Sequence, residues 1–140
     1  MKLSTKGRYA VMAMVDLASH GRNSPVSLMD ISVRQGLSIT YLEQLFMKLR
    51  RHGLVESTRG QNGGYLLKKD PSATNVLDIM NAVEEPLKAT RCNPSESHGC
   101  QGGAKRCLTH NLWNGLSQHV ANYLASKTLA DLAMSDEDAA

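Results

Sequence analysis

Cys92, Cys100 and Cys107 are the only cysteines in the 140-residue chain, and they fall within one short stretch. With the next histidine they read Cys92-x7-Cys100-x6-Cys107-x2-His110. Thiolates bind soft or borderline metals, so the set points to zinc, copper(I) or an iron–sulfur cluster. An odd cysteine count does not make a disulfide framework, which would also need an oxidising compartment. Small zinc sites use a close C-x2–4-C pair, and no such pair occurs here. A segment this wide can wrap a larger object such as a cluster. Common iron–sulfur arrangements use four cysteines, but histidine can replace cysteine. Two histidines compete for that place: His110, which opens a helical pattern, and His98, inside the segment. Arg91, Lys105 and Arg106 supply positive charge that favours thiolates.

A second group of residues could bind a polyanion. Residues 1–70 carry 11 Lys/Arg against 5 Asp/Glu, whereas residues 71–140 carry 5 against 8. A basic first half points to nucleic acid. The elements that would present it are legible. Ala10, Ala13, Met14, Leu17 and Ala18 repeat at helical spacing, with Val11, Met12 and Val15 also apolar, which predicts a helix over 5–19 covered on most sides. Ser27 opens a short second helix that Gln35-Gly36-Leu37 breaks. Ser38 or Thr40 caps a third, whose stripe is Leu42, Leu45, Phe46 and Leu49. Arg50, Arg51 and His52 end it, and Gly53 follows as its cap. Two β-prone runs, 54–58 and 65–67, flank a Gly/Asn-rich turn and read as a hairpin. A fourth helix over about 75–83 is expected to pack with Val76, Ile79, Met80 and Val83.

Short helix, glycine-bearing turn, second helix, hairpin: that order is a winged helix-turn-helix. The third helix would lie in the major groove of double-stranded DNA and offer Ser38, Thr40, Tyr41, Glu43 and Gln44 to base edges. Glutamine can pair with adenine and glutamate can accept from cytosine N4. Glu43 would also repel phosphates at wrong sites and so act as a filter. At the hairpin tip Arg59 and Gly60 suit a minor groove. Lys6, Arg8, Arg50 and Arg51 are the expected phosphate contacts.

The remaining chain divides simply. Residues 85–107 have little apolar content and hold the cysteines. Helical pattern resumes near Thr109, with Trp113, Leu116, Val120 and Leu124 at i, i+3, i+7 and i+11. Thr128 is expected to cap a last short turn over 129–133, ahead of an acidic tail. The fold class expected is mainly α with a small β-hairpin: a winged helix-turn-helix plus a long dimerisation helix. The units are 1–84 for DNA binding, 85–107 for the cluster, 108–126 for dimerisation and 127–140 for the short helix and tail. No run of 18 apolar residues predicts a membrane span, and Met1 to Gly7 is polar and basic rather than a secretory signal. A cytoplasmic protein is expected. No nucleophile–base pair, phosphate-binding loop or substrate pocket argues for an enzyme, and no small-molecule substrate is expected. A zinc-stabilised structural protein would differ from a cluster protein in being colourless.

Five runs carry a resemblance: MKLSTKGRYA at 1–10, YLEQLF at 41–46, GGYLL at 63–67, ATRC at 89–92 and CLTHNLW at 107–113. Together they resemble the winged-helix family of bacterial iron–sulfur cluster regulators over about residues 1–134. The resemblance implies a homodimeric transcription regulator with one 2Fe-2S cluster per subunit. Its ligands by motif match are Cys92, Cys100, Cys107 and His110, and Trp113, Leu116, Val120 and Leu124 would supply the two-fold interface. It implies repression of cluster-assembly genes by the loaded form, with some promoters bound without the cluster. The spacing between the cysteines is longer than the family pattern, and His98 falls within it. Within the family, a nitric oxide sensor or an iron-responsive repressor is the runner-up.

Overall fold

The computed structural model describes residues 4–21, 24–85, 87 and 108–133. Cys92, Cys100, Cys107, His98 and the tail after 133 lie outside the described residues.

The chain begins with helix α1 (Thr5–His20). Its stripe of Ala10, Ala13, Met14, Leu17 and Ala18 is buried. The helix is covered on most sides, as expected: Val11 and Val15 are half-buried against the core, and a narrow face with Arg8, Met12 (38% exposed) and Ser19 stays open. The small alanines let the next three α-helices and the second hairpin strand approach it closely. Helix α2 (Leu28–Gln35) is capped by Ser27, whose Oγ accepts the Asp30 N–H at 3.1 Å. It ends at Gly36, which takes the left-handed conformation with φ 66°, a region that glycine enters without a Cβ clash. Helix α3 (Ile39–Arg51) follows. Of its two possible caps the structure uses Ser38, whose Oγ accepts the Tyr41 N–H at 3.4 Å. Leu42, Leu45, Phe46 and Leu49 all face the core.

Strands β1 (Val55–Thr58) and β2 (Gly64–Leu67) form the antiparallel hairpin, in the register Val55↔Leu67 to Thr58↔Gly64. Val26, just ahead of α2, exchanges hydrogen bonds of 3.0 and 2.8 Å with Tyr65 and adds a third backbone to the ladder. The hairpin is thereby fixed to the body close to its turn, one residue along β2 from Gly64. A 3-10 turn, Pro71–Ala73, is capped by Asp70. Helix α4 (Val76–Ala82) is capped by Asn75, whose Oδ1 accepts the Asp78 N–H at 2.9 Å. Its Val76, Ile79 and Met80 and the adjoining Val83 are buried.

Helix α5 (His110–Ala125) is the other long helix. It packs against α4 and is tied to it at its far end, where the Val76 N–H donates to the Lys127 carbonyl at 2.9 Å. Beyond it Thr128 and Asp131 cap one another reciprocally, opening the helical turn at 129–133. Leu129 from that turn is fully buried in the same core as α1 and α3. No helix among the described residues is long and apolar enough to cross a membrane.

A buried charge on α1 is held by its neighbours. The Asp16 carboxylate, buried on α1, accepts from Arg34 Nε at 2.9 Å, Arg34 Nη2 at 2.7 Å and Gln35 Nε2 at 2.9 Å. These bonds staple the C-terminal end of α2 to α1. Burial raises the Asp16 pKa, but hydrogen bonds from Arg34 and Gln35 and the charges of Arg34 and His20 more than offset it. The carboxyl is therefore held below its ordinary 3.8. A depressed folded-state pKa contributes stability above the unfolded value and loses it as pH falls through the folded one. Urea midpoints should thus fall steeply below about pH 4. Asp16→Asn should start lower at neutral pH and show a shallower acid limb. An unchanged acid limb would remove Asp16 from this account.

Candidate nucleic-acid interface and the cysteine-bearing segment

The exposed side of α3 is polar. Ser38, Thr40, Glu43, Gln44, Arg50 and Arg51 are all exposed, and Met47 stands among them at 50% exposure. Because the opposite stripe is buried, these side chains share the free surface that a groove-binding helix must offer. Two of the expected contacts have structural partners as well. Arg50 Nη1 donates to Ser57 Oγ at 3.1 Å, bracing the end of α3 against β1. Tyr41 is half-buried, packs edge-on against Tyr9 with ring centroids 6.0 Å apart, and brings its hydroxyl within 3.4 Å of Thr5 Oγ1. Tyr41 thus joins α3 to the first turn of α1.

That first turn carries the next two expected contacts, Lys6, half-buried, and Arg8, exposed. The wing supplies the rest. Arg59, Gly60, Gln61 and Asn62 are exposed at the hairpin tip. Gly60 sits at φ 115°, and its carbonyl accepts the Gly63 N–H at 3.0 Å to close the turn. Phe46 and Tyr65 pack at 4.8 Å between ring centroids and lock the wing to α3. Helix α3, the start of α1 and the wing are therefore coupled by direct contacts among aromatic and polar side chains.

Sequence reasoning did not single out Lys48, Glu84, Glu85 or Gly7. Lys48 Nζ of α3 pairs with Glu84 Oε2 at 3.3 Å. Glu85 is 5% exposed and accepts the Ser4 N–H at 2.7 Å, the Gly7 N–H at 3.1 Å and the Ser4 hydroxyl. Nothing in a sequence period links residues 78 and 81 positions apart. The only available signal was two carboxylates directly after an apolar helix.

The second site is represented by one residue. His110 opens α5 and is 5% exposed, unlike the exposed His20, His52 and His119. Three thiols and an imidazole form a donor set that suits zinc or an iron–sulfur cluster. The buried histidine three residues from Cys107 is where such a set would close. The alternative His98 and the three cysteines lie outside the described residues, among which no three His, Cys, Asp or Glu side chains gather as a metal site.

Helix α5 buries only His110. Of the four interface residues expected from sequence, Leu116 is 43% exposed, while Trp113, Val120 and Leu124 are half-buried. Leu112 and Tyr123, at 61% and 58%, extend the Leu116 stripe at i, i+4 and i+11.

This arrangement has close relatives. Residues 3–135 match the Rrf2 family, described as an iron-dependent transcriptional regulator. The HTH-type transcriptional regulator IscR of Yersinia pestis is 56% identical over 132 residues, covering 94% of this chain and 79% of the relative. That of Serratia proteamaculans (strain 568) is 55% identical over the same shares. Among solved structures, IscR of T. potens aligns with a TM-score of 0.80 at 40% identity, over 99% of this chain and 90% of that one. CymR (YrzC), the global cysteine regulator of B. subtilis, also aligns at 0.80, with 37% identity over 96% and 98%. These relatives are winged-helix regulators rather than catalysts. The chain belongs to the Rrf2 family of iron-dependent transcriptional regulators, and it is a DNA-binding regulator of the IscR type, not an enzyme.

Proposed function

We propose that this regulator is a homodimer that senses iron–sulfur cluster supply through a 2Fe-2S cluster held by Cys92, Cys100, Cys107 and His110, and that the loaded form represses cluster-assembly genes. The observation that carries the reading is the buried His110, at the first turn of α5 and three residues after Cys107. A bound cluster would supply irons for three thiolates and one imidazole to ligate. The units are residues 1–84 for DNA, 85–107 with the cysteines, 108–126 for dimerisation and 127–140 for the short helix and tail. The protein works in the cytoplasm on promoter DNA, without a small-molecule substrate.

On DNA, α3 enters the major groove. Ser38, Thr40, Glu43 and Gln44 meet base edges, and Gln44 suits adenine while Glu43 suits cytosine. Tyr41 holds α3 to α1. Lys6, Arg8, Arg50 and Arg51 neutralise phosphates, and Arg59 with Gly60 enters the minor groove beside the major-groove contacts. A two-fold dimer along α5 reads two half-sites about one helical turn, or a multiple of it, apart.

Anaerobic purification followed by visible and Mössbauer spectroscopy tests the cofactor, and titration of a promoter fragment with loaded and cluster-free protein tests the coupling. The expected result is a red-brown protein with a 2Fe-2S spectrum that His110→Ala alters and His98→Ala leaves alone. Promoter affinity should fall when the cluster is removed. A colourless zinc protein, or a 4Fe-4S spectrum indifferent to His110→Ala, would overturn the proposal, the latter in favour of a nitric oxide sensor.

A further inference from the structure

Helix α1 presents an unusual N-terminus. Its N-cap residue, Ser4, makes no capping bond with its own side chain, and the first turn holds no acidic residue. The free amides and the positive end of the helix dipole call for an acceptor. It comes from the far end of α4. There Glu84 takes the left-handed conformation with φ 61°, the one non-glycine residue with positive φ among the described residues. The Glu85 N–H then donates to the Met80 carbonyl at 2.9 Å, and the Glu84 N–H to the Asn81 carbonyl at 3.1 Å. This closure follows the pattern of a helix-terminating Schellman turn, for which glycine is the usual residue. A glutamate stands there instead, and its carboxylate pairs with Lys48 on the recognition helix. The same turn aims Glu85 back at α1.

We infer that Glu85 is the positioning residue of the DNA-binding surface: it caps α1 and thereby sets Lys6, Arg8 and the Thr5–Tyr41 contact against the DNA. Its carboxylate gathers the Ser4 N–H, the Ser4 hydroxyl and the Gly7 N–H. Gly7 makes room for it, because a Cβ there would lie 2.8 Å from Glu85 Cγ and 2.6 Å from Met80 Sδ. The two cations flank Gly7 in sequence, so the orientation of this turn determines where both charges point. Thr5, one residue before Lys6, reaches Tyr41 of α3, so the same turn fixes the spacing between α1 and the recognition helix. Glu85 is too buried to touch DNA itself. It acts through the residues that do. The proposal rests on the reading that Lys6 and Arg8 contact phosphates.

The test uses the full-length protein and a duplex operator fragment that the wild-type protein binds. Affinity is measured over a range of salt, because the slope of log K against log salt counts neutralised phosphates at roughly 0.9 per contact. Glu85→Gln keeps one accepting oxygen but turns an –NH2 toward one of the two N–H donors and removes the charge at the helix end. It should make the slope shallower by about one to two units. Ser4→Ala, a milder loosening, should move it the same way by less. Lys6→Ala/Arg8→Ala should reproduce the loss, and adding Glu85→Gln to that pair should change the slope no further. If Glu85→Gln and Ser4→Ala lower the melting temperature but keep the wild-type slope, Glu85 is only a structural cap and the proposal falls. If Lys6→Ala/Arg8→Ala itself keeps the wild-type slope, the phosphate reading fails first and takes the proposal with it.

Discussion

Phe46→Ala is expected to lower the unfolding free energy by about 4 kcal/mol. Phe46 is fully buried and heads the buried side chains in size. Truncation to alanine forfeits the transfer free energy of the ring and leaves a cavity that the surroundings fill only partly. The ring also packs edge-to-face on Tyr65, at 4.8 Å between centroids, a contact worth about 1 kcal/mol beyond area. A loss of this size is a large share of the 5–15 kcal/mol that holds a typical domain together. Urea denaturation should show the midpoint falling with little change in slope. Met47→Ala is the control. Its side chain is 50% exposed on the next position of the same helix, and its replacement should stay within about 0.5 kcal/mol. The pair also separates fold from function. Phe46 joins α3 to the wing, so DNA binding by Phe46→Ala should weaken at temperatures where the protein is still folded. If Phe46→Ala costs no more than Met47→Ala, the burial of the ring is wrong.

The helices were legible in sequence where local signals agree. The α3 stripe at Leu42, Leu45, Phe46 and Leu49 has one apolar face, a capping serine and a basic end, and each of these acts within one or two turns. The hairpin was legible because Gly60, Gly63 and Gly64 punctuate two short β-prone runs. The broad coverage of α1 was legible too, but apolar character alone did not distinguish Met14, in the core, from Met12, which is exposed. That difference is set by which side its neighbours approach. The types of the residues on the open face of α3 were legible for the same reason as its stripe: a helix with one buried face exposes the other. The positioning of those residues was not. Glu85 caps a helix 78 to 81 residues away, and Val26 joins a hairpin partner at Tyr65. Such contacts follow from tertiary approach and leave no periodic trace. The same holds for α5, where sequence spacing selects Trp113, Leu116, Val120 and Leu124. The packing of α5 on α4 half-covers three of these and leaves Leu112 and Tyr123 more open beside Leu116.

That exposed stripe carries the last expected result. Leu116→Glu should convert the proposed dimer to a monomer and weaken operator binding about a hundredfold or more. Leu112, Leu116 and Tyr123 lie on one side of a helix whose other side rests on α4. A two-fold interface uses the same patch from both subunits, so one substitution introduces two carboxylates into it. Across the two-fold the carboxylates repel one another, and moving them out of water opposes association. Folding of the single chain should be little affected, because Leu116 is already 43% exposed there. Its melting temperature is therefore the check that distinguishes lost assembly from lost fold. Two linked reading heads gain a large effective concentration for the second half-site, and a monomer forfeits it without losing any contact of its own. The discriminating measurement pairs sedimentation with titration of a two-half-site duplex and a single half-site duplex. Leu116→Glu should sediment at half the mass, bind the single half-site like the wild type and lose the advantage on the double site. A variant that keeps the wild-type mass would remove α5 from the interface. One that is monomeric yet binds the double site as tightly as the wild type would show that the two reading heads are not joined through it.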